Sequence, residues 1–314
     1  MITAAIVGLG RWGRTLVAAA EGSDKIRFTH AVSRDPGRHR DFTAQYRLEP
    51  VAGLGPVLAD PQIDAVVLAT PHSLHCQQII AAARAGKAVF CEKPLCLDTG
   101  DAERAIAACA EAGVVLGIGT DKRFFPAFQE VLRLKQSGAL GEILHIEAHF
   151  SNEVAGTFGG WRHSPDETPA GGMTGTGVHM LDAMIALAGP VRRVQAQLLS
   201  IKPPPDPLDA LSALLEFESG VSGTLSAVRS TPFYWRLHAF ARHASAEALG
   251  RTELILRRSG AAPERRAFAP VDSVRANLDA FADAVAGRAP YPITTAEMRA
   301  GVAAFAMIAA AVRG

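Results

Sequence analysis

The sequence predicts an α/β fold: an N-terminal Rossmann-type, doubly wound parallel sheet, followed by an α+β domain on a largely antiparallel open sheet. Three observations predict it. Up to Gly119, short apolar runs alternate with helix-patterned stretches. Gly8-Leu9-Gly10-Arg11-Trp12-Gly13 follows the first apolar run directly and opens the first helical stretch. Beyond Gly119, strand-like runs follow one another with short turn signals between them.

The apolar runs Ile2–Val7, Arg27–Val32, Asp64–Ala69, Ala88–Cys91 and Val114–Ile118 suit strands buried on both faces, as in a parallel sheet. Helices are expected between them at Gly13–Glu21, Pro36–Tyr46, Ser73–Ala85 and Thr99–Ala112. Asp98 can cap the last of these, with Asp101 in its first turn. A helix over Ala127–Gln136 stops at Gly138. Strands follow at Ile143–Phe150, Val191–Leu199, Leu211–Phe217, Val221–Val228, Arg236–Ala241 and Thr252–Leu256. Their short connections, such as Glu218-Ser219-Gly220, imply antiparallel pairing. Lys202-Pro203-Pro204-Pro205-Asp206-Pro207 reads as a stiff surface loop. Val274–Val285 is a further helix, and the capping box Thr294-Thr295-Ala296-Glu297 starts the last one. The domain boundary is placed at 1–121 and 122–314.

A chain of 314 residues has room for two domains at ~150 residues each. With 48% hydrophobic and 20% charged residues, it does not have the composition of a disordered chain. Its 32 basic and 31 acidic residues give a net charge of +1, which offers no electrostatic reason for a nucleic-acid or membrane partner. A small-molecule substrate is expected instead. Cys76, Cys91, Cys96 and Cys109 form no CxxC pair, so no zinc or other metal site is expected. Reduced cysteines, no signal-like leader and no apolar run of ~20 residues point to a cytoplasmic setting.

The glycine motif carries the first chemistry. Gly8 permits a tight turn, Gly10 lets a pyrophosphate approach the backbone, and Gly13 allows helix and strand to pack closely. An NAD-preferring site carries an acid at the end of the second strand. Here Ser33 occupies that position and Arg34 follows, a neutral donor and a guanidinium suited to a 2′-phosphate, with Arg38 adding to it. NADP is therefore the expected cofactor. The alternative is that Arg34 is only solvent-exposed, or that Asp35 supplies the acid one turn late, which would suit NAD.

Ala69-Thr70-Pro71-His72-Ser73-Leu74-His75 and Glu92-Lys93-Pro94 both stand at carboxyl ends of strands, where ligands bind in such sheets. Pro94 holds Lys93 in an extended or cis geometry, where a fixed cation can meet a substrate hydroxyl. Taken alone, Glu92 and Lys93 also read as a surface ion pair.

These segments together resemble the glucose–fructose oxidoreductase / inositol 2-dehydrogenase / MocA (Gfo/Idh/MocA) family. The matches are Gly8-x-Gly10-x-x-Gly13, Ala69-Thr70-Pro71-x-x-x-His75, Gly86-Lys87-Ala88-Val89-Phe90-Cys91-Glu92-Lys93-Pro94 and Gly177-Val178-His179-Met180-Leu181-Asp182. The strand pair within Ala210–Ala227 matches as well. The resemblance implies that Lys93 contacts both the nicotinamide ribose and the reacting hydroxyl, and that His179 is the proton acceptor. It also implies cofactor contacts from Arg11, Trp12, Thr70, Pro71, His75 and Glu92, beside Gly8, Gly10, Gly13, Ser33, Arg34 and Arg38. Arg162, after Trp161, would hold a substrate carboxylate or hydroxyl, and Asp182 would bind substrate or orient His179 one turn away. A homo-oligomer, dimer or tetramer, built through the second-domain sheet is implied too.

One position departs from the family pattern G-G-x-x-x-D-x-G-x-H-x-x-D. Gly175 stands where the acid four residues before His179 is usual, and a water or a substrate group is expected to fill that gap. The activity implied is an NADP-dependent oxidoreductase acting on a secondary alcohol or carbonyl of a sugar, cyclitol or related polyol. A non-catalytic NADP-binding sensor of the same fold, favoured by Gly175, and an NAD-dependent glycosidase, disfavoured by Ser33-Arg34, are the alternatives.

Overall fold

The computed structural model describes residues 1–152, 160–200, 209–229 and 231–313. The proline-rich run Lys202–Pro207 lies outside them. The chain divides into two compact units, Met1–Thr120 with Asp272–Thr295, and Asp121–Val271 with Ala296–Gly314.

The first unit runs β1 (Ile2–Val7), α1 (Arg11–Ala20), β2 (Ile26–Ser33), α2 (Arg40–Gln45), β3 (Glu49–Ala52), α3 (Gly55–Ala59), β4 (Ala65–Leu68), α4 (His75–Arg84), β5 (Ala88–Cys91), α5 (Thr99–Ala112) and β6 (Leu116–Ile118). All six strands pair in parallel, in the order β3-β2-β1-β4-β5-β6. β4 and β5 are buried at every position, because helices cover both faces of the sheet. Asp98 caps α5 as expected, its carboxylate accepting from the Asp101 N–H at 2.9 Å. The strand order reverses between β1 and β4, so the loops after these two neighbours flank the crevice where such sheets bind ligands.

The second unit contains α6 (Pro126–Gln136), β7 (Ile143–Asn152), α7 (Val178–Ala188), β8 (Val191–Ser200), β9 (Asp209–Phe217), β10 (Ser222–Arg229), β11 (Tyr234–Ala241), β12 (Ser245–Leu249), β13 (Glu253–Arg257) and β14 (Glu264–Ala267). Its sheet has the order β14-β13-β12-β11-β7-β10-β9-β8. Among the described residues every pair is antiparallel except β7 with β10. α7 (VHMLDAMIALA) is apolar almost all round and is accordingly buried nearly all round.

Two helices complete the chain, α8 (Ser273–Val285) and α9 (Thr295–Ala311). α8 departs from the expected continuous second domain at 122–314, because its apolar face belongs to the first core. Phe281 packs edge-on against Phe90, ring centroids 5.5 Å apart, over Gly117, where a Cβ would lie 2.8 Å from the Phe281 ring. The edge of β6 is closed by side chains of this returning segment. Asn277 donates to the Ile118 carbonyl at 2.9 Å, and the Ile118 N–H donates to the Tyr291 hydroxyl at 3.2 Å. No helix among the described residues is long and apolar enough to cross a membrane.

The outer face of the second sheet carries a charged network. Arg236 bonds Glu247 at 2.6 Å and Glu147 at 2.9 Å, and His238 lies beside it with Nδ1 3.1 Å from the Arg236 guanidinium. Burial, helped by Arg236 and Arg257 and opposed by Glu247, holds the His238 imidazole down to about 4, from an ordinary 6.5. Below pH 6.5 the unfolded chain therefore takes a proton that the folded chain refuses until about pH 4, and stability falls as pH falls through this window. Urea unfolding at fixed protein concentration between pH 7.5 and 4.5 should show this loss, and His238→Gln should flatten part of it. An unchanged slope in the variant excludes His238 as its source.

Candidate active site

The glycine loop joins β1 to α1. Gly8 has φ +95°, and a Cβ there would lie 2.7 Å from the Ala69 carbonyl oxygen that follows β4. A Cβ on Gly13 would meet the Gly8 carbonyl at 1.9 Å. Both positions therefore require glycine. At Gly10 a Cβ would meet nothing within 4 Å, so the backbone is open to an approaching group. α1 has no side-chain cap and no acid in its first turn, which leaves its first N–H groups for an anion. A dinucleotide pyrophosphate fits this cradle. Arg11 is exposed at its rim, while Trp12 packs against the core.

At the end of β2, Ser33 Oγ accepts from the Asp35 N–H at 3.3 Å. Asp35 caps the turn Pro36–His39, its Oδ1 accepting from the Arg38 N–H at 3.3 Å. Its carboxylate is thus engaged in local structure. Arg34 and Arg38 are exposed and form no ion pair among the described residues. Arg14, which the motif reading passed over, donates to the Leu9 carbonyl at 3.3 Å, lies 3.1 Å from His39 Nδ1 and sits 4.9 Å over the Phe42 ring. Burial first, then Arg14 and Arg38, hold His39 below its ordinary value.

The loops after β4 and β5 are braced together. His75 is fully buried, its Nδ1 3.0 Å from the Pro94 carbonyl and 3.2 Å from that of Leu95, its Nε2 3.2 Å from that of Thr70. The ring of His75, which was expected at the cofactor, thus ties the two loops to each other. Thr70 Oγ1 donates to Gln78 Oε1 at 2.7 Å, and Pro71 leads into α4. The Lys93–Pro94 bond is cis. Glu92 is buried against Gly119, where a Cβ would collide with its carboxylate, so it does not stand at the surface. Lys93 is half-buried between these braces.

In the second unit, His179 is the second residue of α7, just after the π-helical Met173–Gly177. It is buried, with Nδ1 3.9 Å from Asp121 Oδ1. Asp182, expected to bind substrate or to orient His179, has a bonded partner within this unit. Arg123 grips its carboxylate with two bonds, Nε to Oδ2 at 2.9 Å and Nη2 to Oδ1 at 2.8 Å, and also bonds Glu297 at 2.7 Å. Burial opposes the Arg123 charge, and Asp182 and Glu297 more than offset it, so its pKa is raised. The Arg162 guanidinium stacks 4.1 Å from the Trp161 ring centroid. Asp121 beside His179 went unseen in the sequence; the only signal was its place at the start of the basic–aromatic run Asp121-Lys122-Arg123-Phe124.

Comparison with known proteins gives the family and the fold. A model described as "Oxidoreductase family, NAD-binding Rossmann fold" matches residues 2–120, and the "GFO/IDH/MocA C-terminal domain" matches residues 128–248. The chain is 28% identical over 250 residues to 2,7-anhydro-N-acetylneuraminate hydratase of Escherichia coli K12, covering 76% of this chain and 64% of that protein. Measured against that relative, the chain thus spans less than two thirds of its length. It is 28% identical over 244 residues to scyllo-inositol 2-dehydrogenase (NAD(+)) of Bacillus subtilis 168, covering 74% and 68% respectively. The fold is shared with levoglucosan dehydrogenase in complex with NADH and levoglucosan, with a TM-score of 0.88, 18% identity, and 99% and 97% of the two chains covered. The chain belongs to the Gfo/Idh/MocA oxidoreductase family, with an NAD(P)-binding Rossmann domain.

Proposed function

We propose that the chain is an NAD(P)-dependent oxidoreductase that moves a hydride to or from a secondary alcohol or carbonyl of a sugar, cyclitol or related polyol, with NADP preferred. The observation that carries the reaction class lies in one unit: an open phosphate cradle at Gly10, with Lys93 on a braced loop at the end of β5. The named substrates of the inositol dehydrogenase relative and the levoglucosan dehydrogenase neighbour, both polyhydroxylated, support the substrate class.

When bound, the nicotinamide supplies the hydride acceptor or donor at C4. The Lys93 ammonium donates to the substrate oxygen and stabilises the alkoxide charge that grows there. His179, as the neutral imidazole, takes the hydroxyl proton and returns it in the reverse direction. Arg162, held flat by Trp161, grips a further substrate oxygen. The name of the Bacillus relative carries NAD(+), so the preference for NADP rests on the local residues alone. Ser33 is neutral, Asp35 is engaged as a cap, and Arg14, Arg34 and Arg38 supply the charge.

Arg34→Ala should weaken NADPH binding roughly tenfold or more in a fluorescence titration, as loss of a charge-assisted bond, and leave NADH nearly unchanged. Equal losses for both would reject the preference. Lys93→Met should lower turnover on the order of 10²-fold or more, with NADPH affinity little affected. His179→Ala should lower turnover and flatten the acid limb of its pH profile. Both are assayed by NADPH fluorescence against a panel of aldoses, inositols and dihydrodiols. Turnover near that of the wild type in both variants would sink the mechanism.

A homo-oligomer is proposed through the outer face of the second sheet. Leu199, Leu214 and Tyr234 are 55%, 57% and 44% exposed. The register aligns Leu199, Ala210, Val228, Ser151 and Tyr234 in one cross-strand row on that face. Light scattering should give a mass above 33.1 kDa, and Leu214→Asp should shift it toward the monomer. A monomer mass for the wild type would reject this surface.

A further inference from the structure

His179 and Asp121 are both almost fully buried, with side-chain exposures of 5% and 4%, and their facing atoms, Nδ1 and Oδ1, are 3.9 Å apart. The other oxygen, Asp121 Oδ2, accepts from Lys122 Nζ at 2.8 Å. We propose that Asp121 is the positioning acid of His179: its carboxylate, fixed on one side by Lys122, orients the imidazole and stabilises its protonated form. The inference rests on the reading of His179 as proton acceptor, and adds to it a residue from outside α7.

The surroundings single out this carboxylate. Asp182, on the same helix, is gripped by Arg123 through both oxygens. The segment Met173–Gly177, packed before α7, carries no titratable side chain, and Gly175 stands one turn ahead of the histidine. From β7 the group facing His179 is the Phe150 ring, edge-on with centroids 6.1 Å apart. The charged β7 residue Glu147 bonds Arg236, and His149 bonds Ser226, on the opposite face of the sheet. From α6, Glu130 pairs with Arg133 and Arg266, and Lys135 donates to the Ala186 carbonyl near the far end of α7. Among the described residues of this unit, the turn Asp121–Phe124 adds Lys122 and Arg123, each bonded to a carboxylate.

The chemistry follows from which nitrogen faces the acid. Nδ1–H directed at Asp121 leaves the Nε2 lone pair for the substrate hydroxyl. When Nε2 takes the proton, the positive ring is opposed by a buried anion, where the attraction is screened little. A contact of 3.9 Å is beyond hydrogen-bond reach, and contacts of this kind tighten when the complex with substrate forms. The acid that the family pattern puts four residues before the histidine is thereby supplied from another element.

The ring of His179 can be titrated by NMR in histidine-labelled protein, with its signal identified by its loss in His179→Ala; no substrate is needed. Asp121→Asn should lower the midpoint by about one pH unit or more, since an anion favours imidazolium. Lys122→Met should raise it, because a nearby cation is lost, and this variant decides the matter if Asp121→Asn does not fold. A Cβ at Gly175 meets nothing within 4 Å and its φ is not positive, so an acid can be placed there. Gly175→Asp added to Asp121→Asn should bring the midpoint back up. A wild-type midpoint in both Asp121→Asn and Lys122→Met overturns the proposal. Turnover separates the two readings: a fully active His179→Ala removes the base role whatever the titrations give, whereas unmoved midpoints remove Asp121 and leave the base role intact.

Discussion

Arg123 is the point on which the second unit turns. It leaves a short turn that also carries Asp121 and Lys122, and its side chain is buried. Two of its bonds hold Asp182 in α7, and a third holds Glu297 in α9. Burying the Arg123 charge, and partly burying those of Asp182 and Glu297, costs desolvation that their attraction only partly returns, so such a cluster is a poor source of net stability. It is a strong source of register. Losing both carboxylates would leave the buried Arg123 charge uncompensated, at a cost of roughly 3–5 kcal/mol. His179 and Asp121 meet because both are attached to parts that Arg123 ties together.

The first unit reaches the same end without a charge cluster. Gly8 and Gly13 let the loop after β1 lie against the carbonyl after β4, and any larger residue would push them apart. His75 faces carbonyls of both the β4 and the β5 loops, and Glu92 sits against Gly119. Lys93 lies between two residues that cannot shift, while remaining half-buried itself. In both units the residue proposed to touch substrate is accompanied by buried neighbours whose work is placement. Lys87 is a parallel case within the same matched segment. It is buried and donates to the Asp60 and Ile63 carbonyls at 2.5 and 2.7 Å, so it serves structure although it stands near the reactive lysine in the chain.

What could be read from the sequence was what repeats at short range. The five buried strands of the first sheet stood out as apolar runs, and Asp98 as a cap, because each is decided by a few adjacent residues. β3 escaped because Glu49-Pro50-Val51-Ala52 contains a proline, which an edge strand tolerates and a central one does not. β12 escaped because Ser245-Ala246-Glu247-Ala248-Leu249 has helix-forming residues that the neighbouring strands override. β14 is short and charged, as an exposed edge should be, and gave no apolar signal. The same limit applies to the site. The glycines, Lys93 and His179 announce themselves by local motif, whereas Arg14, His39 and Asp121 matter only through residues distant in the chain.

A carboxylate acts where its oxygens point, not where a motif places it. Asp35 stands two residues after Ser33, and its carboxylate caps its own turn. Asp182 stands one turn from His179, yet it belongs to Arg123. Asp121 has no motif spacing to the histidine, and its oxygen faces the ring. The first turn of α7 is bordered both by the segment that precedes it and by the Asp121–Phe124 turn. Glycine at position 175 therefore need not leave the site without its anion, and the requirement that persists is spatial: one buried carboxylate near Nδ1, with Nε2 left for the substrate.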